Sequence, residues 1–217
     1  MDFRLFILTL VAGGLSMMAY LLGSFPTGYL VGKRQGIDIR EHGSGSTGAT
    51  NVWRVMGKGW GILVFAVDFL KGIVALGLGQ LVYGSAHNLG VDLPAWGLPW
   101  VLTAMAGGAI VGHSLPVWLQ WRGGKSVATG LGIMVYLHWQ TAVMALTIWL
   151  VVMAFTRTVS LSSLIAAVST PILLILWQGE IAYQLLAGVG ALYIIYTHRA
   201  NVQRLLKGEE HSFAPKI

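Results

Sequence analysis

Long apolar runs are the feature that most restricts how this chain can fold. Runs of about 18 or more apolar residues are typical of membrane spans, and only 10% of the 217 residues are charged, against about 25% in soluble domains. The sequence therefore predicts a polytopic integral membrane protein in which residues 1–217 form a single domain. Its apolar segments lie near 4–31, 59–83, 97–115, 126–139, 141–156, 161–178 and 181–197.

The fourth and fifth segments, 126–139 and 141–156, are shorter than the others. A helix of about 14 residues reaches roughly 21 Å, less than the roughly 30 Å of a hydrocarbon core. The two segments form either one re-entrant pair or two tilted helices. Both arrangements return the chain to the same side of the membrane.

The basic residues indicate the orientation of these segments. If the first segment enters from outside, the inner loops are 33–58, 116–125, 157–160 and 198–217. All but two of the 14 Lys and Arg residues, Arg4 and Lys71, lie in or beside these loops. The positive-inside rule therefore predicts an N-terminus outside and a C-terminus in the cytoplasm.

Composition also excludes several kinds of site. The chain has no cysteine, which excludes disulfides, thiolate catalysis and cysteine-based metal sites. Its eight carboxylates show no spacing typical of a divalent metal site, so we expect neither a metal nor another cofactor. The net charge of +6 comes from residues that flank spans, so we expect no nucleic-acid partner.

The first inner loop contains the hydroxyl-rich stretch "HGSGSTGATN", residues 42–51. It matches the dinucleotide pattern G-x-G-x-x-G, but a loop between membrane spans lacks the βαβ unit that this pattern requires. Glycines can still direct backbone N–H groups at an anion, and the alternative is a flexible polar turn. The candidate contacts are Gly43, Gly45, Gly48, Ser44, Ser46, Thr47 and Thr50, followed by Arg54 and Lys58.

The second inner loop, "WRGGKSVATG", places Gly123, Gly124 and Lys125 just before an apolar segment. A nucleotide P-loop would need glycine at position 119, where the chain has Leu119. Gly-Gly-Lys-Ser at a helix start can nevertheless cradle a phosphate with unpaired N–H groups, the positive helix end and a lysine. The alternative is a charged turn that flanks a helix.

Two further groups of polar residues have helical spacing. In "HRANVQRLLKGEEH", His198, Asn201 and Arg204 are three apart and share one face if the last span continues into this stretch. Asp68 and Lys71 lie inside the second span, also three apart. Such charges are usually paired within the membrane, so we interpret them as a structural ion pair, with a substrate contact by Lys71 as the alternative.

The stretch "HNLGVD", residues 87–92, matches the H-x-x-x-x-D signature of one class of acyltransferases. It lies in an outer connection that has no basic residue to hold a phosphate. We therefore interpret this match as coincidence.

The chain resembles the bacterial acyl-phosphate:glycerol-3-phosphate acyltransferase family over nearly its whole length. One position departs from the family pattern, because Ser46 stands where the family usually has asparagine; a hydroxyl can replace an amide donor. The resemblance is carried, in the family's order, by "YLLGSFPTGYL", "GSGSTGATNVWRVMGK", "DFLKG", "GGKSVATGLG" and "HRANVQRLLKGEEH".

The resemblance implies an all-α fold, a seven-helix transmembrane bundle with short or half-length helices in the middle. It implies a multi-pass protein of the bacterial cytoplasmic (inner) membrane with its active site on the cytoplasmic side. The implied reaction moves a fatty acyl group from acyl phosphate to the 1-hydroxyl of sn-glycerol 3-phosphate, giving lysophosphatidic acid and phosphate, the first step of phospholipid synthesis. The implied partners are these two substrates, the lipid bilayer and the soluble enzyme that makes acyl phosphate.

The resemblance also implies roles for single residues. It implies that Glu210 is structural, beside the ion pair of Asp68 and Lys71. The implied catalytic residues are Ser44, Arg54, His198 and Asn201. The implied substrate-binding residues are Gly43, Gly45, Ser46, Thr50, Asn51, Lys58, Gly123, Gly124, Lys125 and Ser160.

Two alternatives remain at the level of sequence. His198 is either the base for the glycerol hydroxyl or only orients it while a substrate phosphate takes the proton. The rival function is a transporter of a phosphorylated solute. A transporter needs polar groups through the outer half of the membrane, whereas the outer connections here are short and lack basic residues.

Overall fold

A computed structural model describes residues 3–86, 88, 90–91 and 93–212. Most of these residues are helical, and none of them forms a strand. The first five helices are α1 (Phe3–Gly23), α2 (Thr27–Arg34), α3 (Ala49–Met56), α4 (Lys58–Ser85) and α5 (Gly97–Ser114), with short 3₁₀ turns at Ile39–Glu41 and Val117–Leu119. The remainder are α6 (Val127–Leu137), α7 (Trp139–Thr156), α8 (Val159–Leu176), α9 (Ile181–Thr197) and α10 (Arg199–Leu206).

Several of these helices are long and apolar enough to cross a membrane. Five segments meet this condition, and a sixth does if the bent pair α9 and α10 forms one span. The all-α class is therefore confirmed, while the count of seven spans and the orientation of the termini stay predictions. The five segments are Arg4–Arg34, Lys58–Ser85, Gly97–Leu119, Trp139–Thr156 and Val159–Leu176.

Contacts divide the chain into two compact units, Met1–Tyr136 and Leu137–Ile217. A single polytopic domain that includes both units stays a prediction. Large apolar side chains are exposed in each unit, such as Leu81 at 68% and Phe155 at 86%. A soluble monomer rarely exposes such a surface, whereas lipid chains would cover it.

In the first unit, glycines let helix backbones pack closely. A Cβ atom on Gly108 or Gly112 of α5 would collide with the backbone oxygens of Ser16 or Tyr20 in α1. This spacing is the small-xxx-small pattern of membrane helix pairs, in which association depends on close packing rather than on the hydrophobic effect. α1 and α5 are therefore held together backbone to backbone.

The first apolar segment, 4–31, is interrupted. α1 ends at Gly23, and α2 begins at Thr27 after the N-cap residue Pro26. Proline has no N–H for a helical hydrogen bond and disfavours helical geometry at the residue before it. The break places the backbone oxygen of Phe25 beside the second span, where it accepts a 3.4 Å hydrogen bond from Lys71.

In the second unit, α7 and α8 are joined by the indole of Trp149, which donates a 3.1 Å hydrogen bond to Ser163 Oγ. The last span does not continue straight into the polar stretch that follows it. α9 ends at Thr197, α10 begins at Arg199, and their axes differ by 64°. His198 lies at this bend, so the last span does not meet the condition under which His198, Asn201 and Arg204 would all share one helix face.

Candidate functional site

The hydroxyl-rich loop of the first unit is built around the buried amide of Asn51. Its Oδ1 accepts a 2.9 Å hydrogen bond from the backbone N–H of Ser44, and its Nδ2 donates to the backbone oxygens of His42 at 3.0 Å and Ser46 at 2.9 Å. Gly43 and Gly45 have φ angles of 61° and 71°, which glycine adopts without steric cost. The predicted substrate-binding residue Asn51 therefore shapes the loop, and we expect it to position its neighbours.

The loop presents polar groups at its surface. Ser44 is exposed, and so are Arg54, near the end of α3, and Lys58, at the start of α4. Thr50 is half-buried in the first turn of α3, and Ser46 Oγ accepts a 3.2 Å hydrogen bond from the N–H of Gly48. A hydroxyl and two cations of this region are therefore exposed, as binding of an anion would require.

An acid–base pair supports the loop from its N-terminal side. Arg40 donates through Nε and Nη2 to the carboxylate of Asp38, with the shortest distance 2.6 Å. The side-chain hydrogen bond from Arg40 is the main cause that lowers the pKa of Asp38 to about 2. The Arg40 guanidinium also lies 4.8 Å from the ring centroid of Tyr29 in α2. Sequence reasoning missed this pair, although D-x-R spacing before a turn could have indicated it.

The Gly-Gly-Lys loop differs from its prediction. The N–H of Gly123 donates to the backbone oxygen of Ser114 at 3.0 Å, and the N–H of Gly124 donates to that of His113 at 3.1 Å. These two N–H groups were expected to hold a phosphate, but they join the loop to the end of α5 instead. The assignment of Gly123 and Gly124 to substrate binding stays a prediction. Lys125, which follows them, remains the candidate phosphate contact.

The predicted ion pair in α4 is confirmed. Lys71 Nζ lies 2.8 Å from Asp68 Oδ1, and both side chains are buried. Asp68 Oδ1 also accepts a 3.4 Å hydrogen bond from Thr27 Oγ1, and His113 Nδ1 lies 3.6 Å away, beyond hydrogen-bond length. A small cavity is lined by these four residues together with Ser24.

In the second unit, the carboxylate of Glu210 gathers three predicted residues. Its Oε1 accepts from Asn201 Nδ2 at 2.6 Å and from Ser160 Oγ at 2.9 Å, and its Oε2 accepts from Arg204 Nε at 2.7 Å. Partial burial raises the pKa of Glu210, but the three hydrogen bonds outweigh it and lower that pKa below its ordinary value. Asn201 and Arg204 thus share a face of α10, as their spacing predicts.

His198 is buried at the bend between α9 and α10. Its Nδ1 lies 2.8 Å from the backbone oxygen of Ile194. A carbonyl oxygen can only accept a hydrogen bond, so Nδ1 carries a proton. When the ring is neutral, its lone pair is therefore on Nε2. This tautomer is the one that a general base at Nε2 requires.

Each unit therefore contains part of the predicted site. The first unit brings together the loop residues around Asn51, and the second gathers Ser160, Asn201 and Arg204 on Glu210. Sequence reasoning missed His113, because a lone histidine at the end of an apolar segment has no distinctive pattern. Its position ten residues before Gly123 was the available signal.

Neither the H-x-x-x-x-D match nor the expected absence of a metal is tested by the described residues. His87 and Asp92, the ends of the coincidental H-x-x-x-x-D match, lie outside the described residues. Within the described residues, no three His, Asp or Glu side chains are grouped as a metal ion would need. The expectation that no metal takes part stays a prediction.

Comparison with protein families gives a match over most of the chain. The sequence model described as "Glycerol-3-phosphate acyltransferase" matches residues 14–208. The chain is 44% identical to the glycerol-3-phosphate acyltransferase of Nostoc sp., covering 95% of this chain and 94% of the relative. It is 47% identical to that of Thermosynechococcus vestitus, covering 92% and 94%.

Solved structures give the same result for the fold. One neighbour is the crystal structure of PlsY, an integral membrane glycerol 3-phosphate acyltransferase, in its glycerol 3-phosphate form, with a TM-score of 0.82 and 38% identity. The match covers 94% of this chain and 96% of PlsY. The lysophosphatidic acid form of PlsY matches with a TM-score of 0.80 and 37% identity, covering 94% and 95%.

Proposed function

Since the chain belongs to the glycerol-3-phosphate acyltransferase family and therefore transfers an acyl group to glycerol 3-phosphate, we propose that its acyl donor is an acyl phosphate. The hydroxyl of glycerol 3-phosphate at position 1 attacks the acyl carbonyl, and the bond from that carbon to the phosphate oxygen breaks. The products are lysophosphatidic acid and inorganic phosphate. The proton of the hydroxyl goes to His198 Nε2 or to a substrate phosphate.

The small size of the polar loops carries this proposal. An acyl phosphate is a mixed anhydride whose phosphate leaves without protonation, so catalysis needs orientation and positive potential more than a strong acid. Such groups are present on a short stretch of chain: Ser44 in the loop, Arg54 in α3 and Lys58 at the start of α4. A coenzyme A donor would need a further site for its adenosine, and a carrier protein would need a docking surface for acidic helices.

We assign the remaining roles on the same basis. Lys125 holds a substrate phosphate, and we assign to it the phosphate of glycerol 3-phosphate. Glu210 holds Asn201 and Ser160 in place, and we assign to Asn201 a contact with a substrate hydroxyl. Ser44 and Arg54 contact the donor phosphate. No step in this scheme uses a metal or another cofactor.

The multi-pass chain lies, in this proposal, in the bacterial cytoplasmic (inner) membrane with its reacting groups on the cytoplasmic side. The basic inner loops support this side. A soluble enzyme that makes acyl phosphate would then deliver its product to the same face. The fatty chain of the donor would lie between helices, against the apolar surface that each unit exposes.

A donor comparison tests the proposal. Purified protein receives glycerol 3-phosphate with palmitoyl phosphate, palmitoyl-CoA or palmitoyl carrier protein in separate reactions, and lysophosphatidic acid is counted. We expect product from palmitoyl phosphate alone. Comparable product from palmitoyl-CoA that is free of acyl phosphate would overturn the choice of donor and leave acyl transfer intact.

The role of Lys125 has a test of its own. Lys125→Ala removes the cation proposed to hold the phosphate of glycerol 3-phosphate, and loss of one such group typically lowers the rate by about 10²–10³. The matched control is Arg122→Ala, which removes an exposed cation three residues earlier in the same loop. Equal losses in both variants would show that general positive charge, rather than Lys125, holds the phosphate.

A further inference from the structure

A buried polar cluster in the first unit joins parts of the chain that are far apart in sequence. At its centre, the Asp68 carboxylate of α4 contacts Lys71 Nζ at 2.8 Å and Thr27 Oγ1 of α2 at 3.4 Å. Lys71 also donates to the backbone oxygen of Phe25 in the break between α1 and α2. The ion pair of α4 therefore contacts both the break and the start of α2.

The cluster extends to the Gly-Gly-Lys loop through His113. The imidazole Nδ1 of His113 lies 3.6 Å from Asp68 Oδ1. The backbone oxygen of His113 accepts a hydrogen bond from the N–H of Gly124. The loop also packs directly against the imidazole ring, because a Cβ atom on Gly124 would collide with His113 Nε2. One side chain thus lies between the buried carboxylate and the residue before Lys125.

The hydroxyl-rich loop meets the same cluster from its other side. A Cβ atom on Gly28, the residue after Thr27, would collide with the backbone oxygen of Thr47. The side chain of Thr47 is buried and lines the cavity that Asp68, Lys71 and His113 also line. Both loops with candidate phosphate contacts are therefore packed on one buried group of charges.

We propose that His113 is a positioning residue for acyl transfer. Its side chain holds the Gly-Gly-Lys loop against the Asp68–Lys71 pair. This contact determines where Lys125 meets the phosphate of glycerol 3-phosphate. The inference rests on the proposed role of Lys125. His113 is only 7% exposed and acts through the loop without touching the substrate. The hydrogen bond from Gly124 uses the backbone oxygen of His113, so substitution of the side chain changes only the ring.

The test separates the two functions of the ring. His113→Leu removes the polar contact with Asp68, and His113→Asn keeps a donor near the Nδ1 position but removes the ring on which Gly124 lies. Misplacement of a binding group by about 1 Å can lower a reaction rate by up to about 10². We therefore expect His113→Leu to raise the KM for glycerol 3-phosphate by about tenfold or more, with a smaller change in kcat. His113→Asn should recover part of this loss.

A double-mutant cycle shows whether the effect passes through Lys125. In a Lys125→Ala background the loop no longer carries the contact that His113 positions. In that background, His113→Leu should therefore add little to the rise in KM caused by Lys125→Ala. The effects of two substitutions that act through one contact are not additive. A residue that serves only the stability of the fold would instead show the same factor in both backgrounds, and that outcome would overturn the proposal.

A matched control and a second variant keep the test decisive. Thr103→Val removes a buried, unpartnered hydroxyl ten residues earlier in α5 and should leave KM and kcat unchanged. If His113→Leu does not fold, Gly124→Ala provides the test, because its methyl group displaces the same ring. An unchanged KM in a folded His113→Leu or Gly124→Ala protein would overturn the proposal. The donor comparison with wild-type protein is scored separately, since these constants are measured with whichever donor gives product.

Discussion

At the scale of single residues, Glu210 connects three side chains of the second unit. Its two oxygens accept hydrogen bonds from Ser160, Asn201 and Arg204, although its carboxylate comes from the polar tail that follows the last helix. Hydrogen bonds to a charged group contribute about 1.5–3 kcal/mol each when they are shielded from water. The tail is therefore part of the fold of this unit.

We expect Glu210→Gln to lower the free energy of unfolding by on the order of 1–3 kcal/mol at neutral pH, a value discounted because Arg204 is 32% exposed. The pKa of Glu210 is lower in the folded protein than in the unfolded chain. Its contribution is therefore complete above the unfolded value and is lost as pH falls through the folded value. Thermal unfolding in detergent between neutral and acidic pH measures this.

The matched control is Glu209→Gln, which neutralises the neighbouring exposed carboxylate. We expect it to change the free energy of unfolding by less than about 0.5 kcal/mol. A difference between wild-type protein and Glu210→Gln that grows, rather than shrinks, on acidification would contradict the linkage. It would mean that the hydrogen bonds do not depend on the ionised carboxylate.

Sequence predicts the members of the site better than their contacts. Asn201 and Arg204 share a helix face because their spacing fits one turn. By contrast, the pattern Gly-Gly-Lys-Ser does not show whether Gly123 and Gly124 point their N–H groups at a ligand or at the chain. That choice depends on where the end of α5 lies, a tertiary fact with no local signature.

At the scale of helices, α5 contacts both α1 and the Gly-Gly-Lys loop in the first unit. Two of its glycines face the backbone of α1, and its last turn carries the ring on which the Gly-Gly-Lys loop lies. Gly107 of the same helix has nothing within 4 Å of where a Cβ atom would stand. α5 therefore contains both a crowded glycine face and an open one.

We expect Gly112→Ala to destabilise the protein by about 1–3 kcal/mol, because its methyl group would overlap the backbone oxygen of Tyr20 and force α1 and α5 apart. Gly107→Ala, the matched control, should be neutral or stabilising by about 0.5–1 kcal/mol, since alanine restricts the unfolded chain. Thermal unfolding of both variants in one detergent measures the difference. Equal effects would show that α1 and α5 do not pack through this glycine face.

Helix bounds follow the apolar pattern closely, and helix breaks do not. The segments 59–83 and 181–197 appear as Lys58–Ser85 and Ile181–Thr197, because the length of an apolar run limits a span. The break before Thr27 lies where apolar residues continue. The bend at His198 lies just before a stretch of helix-forming residues. Proline alone signals the first break, and no single residue signals the second, so tertiary contacts decide both.

At the scale of the whole molecule, the asymmetry of basic residues is the main guide to topology. The loops predicted to be inside contain nearly all Lys and Arg residues, and the connections predicted to be outside contain none. Odd numbers of crossings place the two termini on opposite faces. The orientation predicted from these charges can be tested directly, since the chain has no cysteine of its own.

We expect single cysteines to react from opposite sides of sealed vesicles. Gln35→Cys lies in the first inner loop and Asn88→Cys in an outer connection, and both positions are exposed. A membrane-impermeant maleimide added outside right-side-out vesicles should label position 88 only. Lys207→Cys, which is also exposed, should behave as position 35 does. Labelling of positions 35 and 88 from the same side would contradict the topology.

The apolar surface exposed by both units also has a consequence for the effective concentration of the acyl donor. A donor whose chain lies among the helices reaches the protein by lateral diffusion, in two dimensions. Its supply is then set by its mole fraction among the surrounding lipids, whereas glycerol 3-phosphate is supplied per volume of water. Addition of inert phospholipid to the same bilayer preparation should therefore slow the reaction by surface dilution of the donor, at constant bulk amounts of enzyme and both substrates.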